Sequence, residues 1–349
     1  MNRRSASNLR LLLAGALLLP APAVITAAPS PGASDSLSAK VASSVKSVAA
    51  RKSAAVLRVR CRDSHGELNG TGFLLDPSGT VCTLAELVMG GGVITVRQGA
   101  KDYPATLVAA DPRSGVAFLK IDTSSPTLGE SFLPPRSLTN APALTPVLGL
   151  GIPRDEKPLL SLGMITGTQT HEGERYFCVP HLTAGLPLSE GEAGSPVLDL
   201  SGNLLGMVVS GNQASCRILP SGAIEKLHRD FLRFGRINPG WVGAVVEEAA
   251  VPSGNSRTRV AAVELESPAA SAGLRDGDMI LSIGGKAIRE PDEVLGTSFY
   301  LSGGETVKMT VMRGTEVRSV EFRCGGAPTT GVLTTVTQEP QPTASLAHP

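Results

Sequence analysis

Aromatic side chains are scarce in this chain, at 3% of its 349 residues, while Gly (39) and Pro (26) are plentiful. That balance points to many short strands and turns. Charge of one sign is lacking as well: the net charge is +1, which excludes nucleic acid as the expected partner. No C-x-x-C pair and no His/Cys spacing suits a metal, so neither metal nor cofactor is expected. The apolar run 11–19 breaks at Pro20 after nine residues, too few to span a bilayer comfortably. Five cysteines (Cys61, Cys82, Cys178, Cys216, Cys324) are an odd number, so in an oxidising compartment at least one stays unpaired within the chain. Cys61 with Cys82 and Cys178 with Cys216 are candidate pairs, and small buried apolar residues are an equally good reading.

What is present begins with export. Arg3, Arg4 and Arg10 form a basic region before the apolar run, and Ala23, Ala27 and Ala28 offer a cleavage site, so 1–28 is expected to be a signal peptide. Residues 29–48, rich in Ser, Ala, Gly and Pro, are expected to be a linker. Strand signals then follow at 55–60, 71–75, 80–83, 93–96, 105–108 and 116–121, spacing that suits a small antiparallel barrel. After a Pro-rich passage (126–146) comes a second series at 147–151, 162–168, 175–179, 196–200, 204–209 and 216–219. A helix is expected over 222–234, capped by Ser221, with Ile224, Leu227, Phe231 and Phe234 on one face.

The decisive stretch is Gly191-Glu192-Ala193-Gly194-Ser195-Pro196. Its glycines allow successive backbone N–H groups to point at one spot, as an oxyanion site requires. Together with Asn69-Gly70-Thr71-Gly72-Phe73-Leu74-Leu75-Asp76, Ala110-Asp111-Pro112-Arg113, Leu119-Lys120-Ile121-Asp122 and Leu219-Pro220-Ser221, it resembles the HtrA/Deg-type, trypsin-like serine proteases. The resemblance covers roughly 50–235 and implies a mostly β chain with a chymotrypsin-like double β-barrel.

Matched to the family's pattern, the nucleophile position is Ala193, the imidazole position is Glu86 in Thr83-Leu84-Ala85-Glu86-Leu87-Val88, and the orienting carboxylate position is Gly115. No catalytic residue is therefore expected; triad members act as a unit, so the loss of one already removes most of the rate. Ser195, the only hydroxyl in the loop, should point away from the oxyanion site. His65 could approach the cleft, whereas His171, His181 and His228 have no evident route to it. Glu192 places a negative charge beside the loop where the family has Asn.

A third unit follows. Trp241-Val242-Gly243-Ala244, then Ser267-Pro268 opening a short helix that ends before Gly273, resemble the PDZ domain that follows the protease in this family. The resemblance implies a peptide-binding site in which Trp241, Val242, Gly243 and Ala244 present N–H groups to a terminal carboxylate and Val294 and Leu295 wall a pocket. Gly296 weakens that helix. The expected domains are a protease-fold domain at 49–236, a PDZ domain at 238–326 and a disordered tail at 327–349.

The expected function is that of an exported, periplasmic or envelope pseudoprotease. It would bind peptides or protein C-termini as adaptor, chaperone or regulator, with an active HtrA paralogue as one partner. An active endopeptidase with a non-standard site is the alternative. The family's trimers pack N-terminal aromatics; here none lies between the signal and Phe73, so a homotrimer is only weakly implied.

Overall fold

A computed structural model describes residues 34–121, 131–153, 158–172, 175–249 and 256–326. The segment read as a signal peptide and the tail from 327 lie outside the described residues. Compactness divides the chain into Met1–Ala42 and Ser43–Pro349. Of the first unit only 34–42 is described, as the opening of a helix; the rest of the architecture belongs to the second.

That helix, α1 (Ser34–Lys52), corrects the linker reading of 29–48. Gly and Pro end at Gly32, and from Ser34 the chain has no helix breaker. Val45 and Val48, three residues apart, pack into the core, and Arg51 and Lys52 suit the negative end of the helix.

Six strands follow: β1 (Val56–Arg62), β2 (Glu67–Leu74), β3 (Thr80–Leu84), β4 (Val93–Gln98), β5 (Lys101–Asp111) and β6 (Val116–Ile121). They close into a barrel in the order β1-β2-β3-β6-β5-β4, with the four-residue helix α2 (Ala85–Val88) after β3. The second barrel contains β7 (Pro146–Gly151), β8 (Leu159–Glu172), β9 (Arg175–Ala184), β10 (Pro196–Leu198), β11 (Leu204–Gly211) and β12 (Cys216–Pro220). Read round from β7, its order β7-β8-β9-β12-β11-β10 repeats the connectivity of the first. Closure leaves neither barrel an open edge.

Helix α3 (Ser221–Phe234) ends at Gly235, whose φ of 68° and N–H to the Phe231 carbonyl (2.8 Å) form a left-handed cap. Its N-cap is Pro220 rather than Ser221. Ser221 lies buried one residue further in, and its Oγ accepts the Arg136 N–H at 2.8 Å. Ile224 and Leu227 are fully buried, Phe231 partly, and Phe234 is exposed.

The last unit contains β13 (Gly240–Trp241), β14 (Ala244–Glu248), β15 (Thr258–Val263), α4 (Pro268–Ser271), β16 (Met279–Ile283), β17 (Lys286–Ala287), α5 (Pro291–Phe299), β18 (Thr306–Arg313), β19 (Glu316–Arg323) and β20 (Gly325–Gly326). Its main sheet runs β14-β15-β16-β18-β19, so β14 is an edge strand. Ser267 caps α4 by accepting the Ala270 N–H at 3.0 Å, as its sequence suggests.

This unit is anchored to the barrels through α5. Phe299 is 3% exposed, packs with Phe118, Val179 and Leu227, and carries the Arg113 guanidinium and the Lys226 ammonium each 5.5 Å from its ring centre. Lys226 pairs with Asp230 at 2.8 Å, both essentially fully buried. The other Asp230 oxygen accepts from Ser302 Oγ at 2.7 Å, and the Asn238 N–H donates to the same carboxylate. Burial pulls the Lys226 ammonium below its ordinary range against the pull of Asp230. Gly296, read from sequence as a weak point, is where α5 lies against Pro180 of β9; an added Cβ would stand 3.4 Å from that ring.

The five cysteines are unpaired, and all but Cys178 are buried. Cys61 on β1 and Cys82 on β3 are separated by β2, and Cys216 pairs across the sheet with Ala184 rather than with Cys178.

Two outcomes follow from the buried charges. Asp230→Ala leaves Lys226 buried without a counter-charge and should destabilise by about 3 kcal/mol or more in denaturant unfolding, whereas the double replacement Lys226→Met with Asp230→Leu should cost much less. In the turn between β2 and β3, burial disfavours charge on Asp76, yet hydrogen bonds from His228 (3.1 Å), Ser78 and Thr80 outweigh it and hold the carboxyl well below its usual range. A carboxyl held low stabilises above the unfolded-state value of about 3.9 and loses that contribution as pH falls toward its folded value. Asp76→Asn should therefore lower Tm at neutral pH, and the gap to wild type should close in strong acid.

Candidate functional site

The Gly191–Ser195 loop is built by backbone hydrogen bonds. Gly194 N–H donates to the Val208 carbonyl at 2.9 Å, Val208 N–H returns to Ser195 at 2.9 Å, and the Ala193 carbonyl accepts from Thr71 N–H at 3.0 Å. Thr71 Oγ1 donates to the Gly191 carbonyl at 2.9 Å. Gly191 and Gly194 both have φ of 90°, and a Cβ on Gly194 would overlap the Thr71 carbonyl, so only glycine fits there. Among the described residues, the N–H groups of Gly191 and Ala193 donate to no backbone carbonyl. The loop thus keeps two unused backbone donors.

Ser195 is 2% exposed, and its Oγ donates to the Glu192 carbonyl. Glu192 differs from its sequence reading. Its carboxylate does not stand over the loop but is buried against Gly151, where it accepts the Ser189 N–H at 2.6 Å.

Glu86 and Gly115 line one cleft of about 170 Å³, together with Ser114, His181, Ser210 and Arg217. Ala193 is not among its lining residues; Gly70 links them, since a Cβ there would stand 2.7 Å from Leu87 of α2 and 3.3 Å from the Ala193 carbonyl. Glu86 is exposed at the start of α2. Gly115 closes a tight turn with φ of 75°, its N–H bonded to Asp111 O at 2.9 Å.

His181 corrects the sequence reading, which gave it no route to the cleft: it lines the wall, buried, with its ring edge-on to Phe177 at 4.4 Å. Its position on β9 is set by long-range strand pairing, for which the local sequence carries no signal. His65 is instead an exposed loop residue beside Ser64 and Asp63. The two hydroxyls lining the cleft are committed: Ser114 donates to Asp111 at 3.0 Å, and Ser210 accepts from Arg217 at 2.8 Å. Among the described residues, no group of three or more His, Cys, Asp or Glu could hold a metal.

In the last unit, Gly243 has φ of 77° and turns the chain into β14. Among the described residues, neither Val242 nor Gly243 donates its N–H to a carbonyl, while their carbonyls are fixed by Ala269 N–H (3.0 Å) and Glu264 N–H (2.9 Å). The turn is therefore rigid and its donors are open. Ala244 opens the edge strand beside it. The Trp241 indole lies 3.0 Å from where a Cβ on Gly243, or on Gly325, would stand. Val294 packs onto the core of this unit, and Leu295 alone of the pair lines the groove between β14 and α5, opposite Val246.

Two family models match the chain: a trypsin-like peptidase domain over residues 70–207 and a PDZ domain over 241–323. Among curated proteins, a probable periplasmic serine endoprotease, DegP-like, of Pseudomonas fluorescens is 25% identical over 76% of this chain and 58% of its own length. A protein of the same description from Rhizobium meliloti is 23% identical over 80% of this chain and 56% of its own. The chain thus spans somewhat under three-fifths of these relatives. Among solved structures, the HtrA-type protease AlgW with tripeptide superposes with a TM-score of 0.69 at 21% identity, covering 81% of this chain and 97% of that one. The serine endoprotease from Yersinia pestis gives 0.61 at 21% identity over 81% and 98%. The chain therefore carries a trypsin-like peptidase domain followed by a C-terminal PDZ domain, and in fold it is similar to the HtrA-type proteases.

Proposed function

We propose that this is an exported, periplasmic HtrA-like pseudoprotease. It binds peptides or protein C-termini through its PDZ domain, as an adaptor, chaperone or regulator in envelope protein quality control. The observation that carries the reading is the chemistry at three positions. Ala193 offers no hydroxyl, Gly115 no carboxylate and Glu86 no imidazole. The neighbouring hydroxyls do not substitute for the missing nucleophile. Ser195 is buried on the Glu192 carbonyl, and Ser114 and Ser210 are tied to Asp111 and Arg217. Without a nucleophile and its base, the loop's remaining donors have no tetrahedral intermediate to stabilise.

Binding needs less. An open β edge, a turn with two free N–H donors and an apolar wall at Leu295 suffice for strand addition with capture of a terminal carboxylate. The names of the relatives support a periplasmic location. An active HtrA paralogue and a homo-oligomer belong to the same proposal.

Incubation with a serine-directed fluorophosphonate and with unfolded casein should give neither labelling nor cleavage. Stoichiometric labelling abolished by Ser195→Ala would overturn the reading. Glu86→His, Gly115→Asp and Ala193→Ser together should restore little activity, because position 115 has a left-handed backbone that an aspartate would have to adopt. Gly243→Val should unfold the PDZ domain rather than only block its turn. Its Cβ would overlap Ser267 and it too sits at positive φ, a loss of roughly 2–4 kcal/mol visible in denaturant unfolding.

A further inference from the structure

The upstream half of the PDZ groove is a cavity of about 440 Å³. Strand β14 contributes Val246, Glu247 and Glu248; α5 contributes Pro291, Asp292 and Leu295, with Glu290 at its N-cap. The outer wall is Thr170 and His171, at the end of β8 in the second barrel. Four carboxylates therefore line the cavity, with no Lys or Arg among its lining residues. Arg259 pairs with Glu247, and Arg257 lies 3.6 Å from Glu248, both exposed pairs whose charges water screens. The Glu290 carboxylate caps the α5 N-terminus. Among the described residues, Asp292 has no ion-pair partner.

The register fixes which residues of a ligand meet these charges. The carboxylate-binding turn at Val242–Gly243 precedes β14, so a peptide whose C-terminus sits there runs antiparallel to that strand. It advances about 3.4 Å per residue, one peptide residue for each residue of β14. Ala244 lies beside the last residue of the peptide. Glu247 and Glu248 then stand beside the third and fourth residues upstream, where α5 presents Asp292 and Glu290 from the other side.

We infer that this groove selects C-termini carrying a lysine or arginine three or four residues before an apolar last residue, and discriminates against acidic residues there. The inference rests on the peptide-binding reading of the groove given above. A cationic side chain reaching between β14 and the first turn of α5 meets carboxylates on both flanks. A glutamate at the same place meets like charge from Asp292 and Glu290, and the cations nearest to it, Arg259 and Arg257, are exposed and already paired with Glu247 and Glu248. Because β8 closes the outer wall, the selection belongs to the full chain rather than to the PDZ domain alone.

The test is fluorescence anisotropy on the full-length protein with labelled peptides sharing an apolar C-terminal residue and carrying Lys, Ala or Glu at the third and fourth upstream positions. Affinity should fall in the order Lys, Ala, Glu, with roughly a ten-fold spread between the extremes at low salt. The spread should narrow in about 0.5 M salt, where charges are screened within a few ångströms. Asp292→Asn, which keeps α5 uninterrupted, should reduce the Lys-to-Glu ratio several-fold. Equal binding of the three peptides, or tighter binding of the Glu peptide, overturns the charge selection and leaves the groove as a binding site. Failure of every peptide to bind overturns both.

Discussion

The active-site scaffold depends on a set of backbone hydrogen bonds that no side chain has to supply. Gly194 N–H to Val208 O, Val208 N–H to Ser195 O and Thr71 N–H to Ala193 O clamp the Gly191–Ser195 loop between the two barrels. These bonds survive replacement of the side chains beside them, because each uses main-chain atoms whose position is set by strand pairing and by glycine at positive φ. The fold can therefore keep the shape of this loop whatever side chains stand at the positions beside it. The same logic holds in the PDZ unit, where the turn at Gly243 is fixed through its carbonyls and leaves its N–H groups outward.

The PDZ unit and the barrels meet around one aromatic side chain. Phe299, at the end of the helix that walls the PDZ groove, sits in the core of the protease fold between two cations. One of them, Arg113, lies in the loop that ends at Gly115 and is bound to Asp111 at 2.8 Å. The other, Lys226, is neutralised by Asp230, whose carboxylate also collects Ser302 and Asn238 from the far side of the connection. Buried charges of this kind contribute little net stability compared with apolar packing, but they tolerate few alternative arrangements. They orient α5, and with it Leu295 and Asp292, against the end of β8.

Much of this was legible in the chain. The strands of both barrels fall where short apolar runs alternate with turn residues, because a half-buried strand and a tight turn each impose local chemistry. The Ser267 cap and Gly243 were readable for the same reason. What the local sequence did not carry depended on distant partners. Val294 and Leu295 are adjacent, and only the helix phase decides which faces the core. Gly296 lies against Pro180, over a hundred positions earlier, a neighbour that the sequence around it does not reveal. Glu192 turns inward because Gly151 leaves room for it. Helix α1 was missed because its Ser- and Ala-rich composition also describes a linker, and its two core valines gain meaning only from the barrel they meet.

The central claim is that the chain holds peptides without cutting them. Isothermal titration of the full-length protein with an apolar C-terminal peptide, followed by mass spectrometry of the same sample after prolonged incubation, tests both halves at once. The account predicts saturable binding, weakened by C-terminal amidation, with the peptide recovered at its full mass. Recovery of cleaved peptide would contradict it.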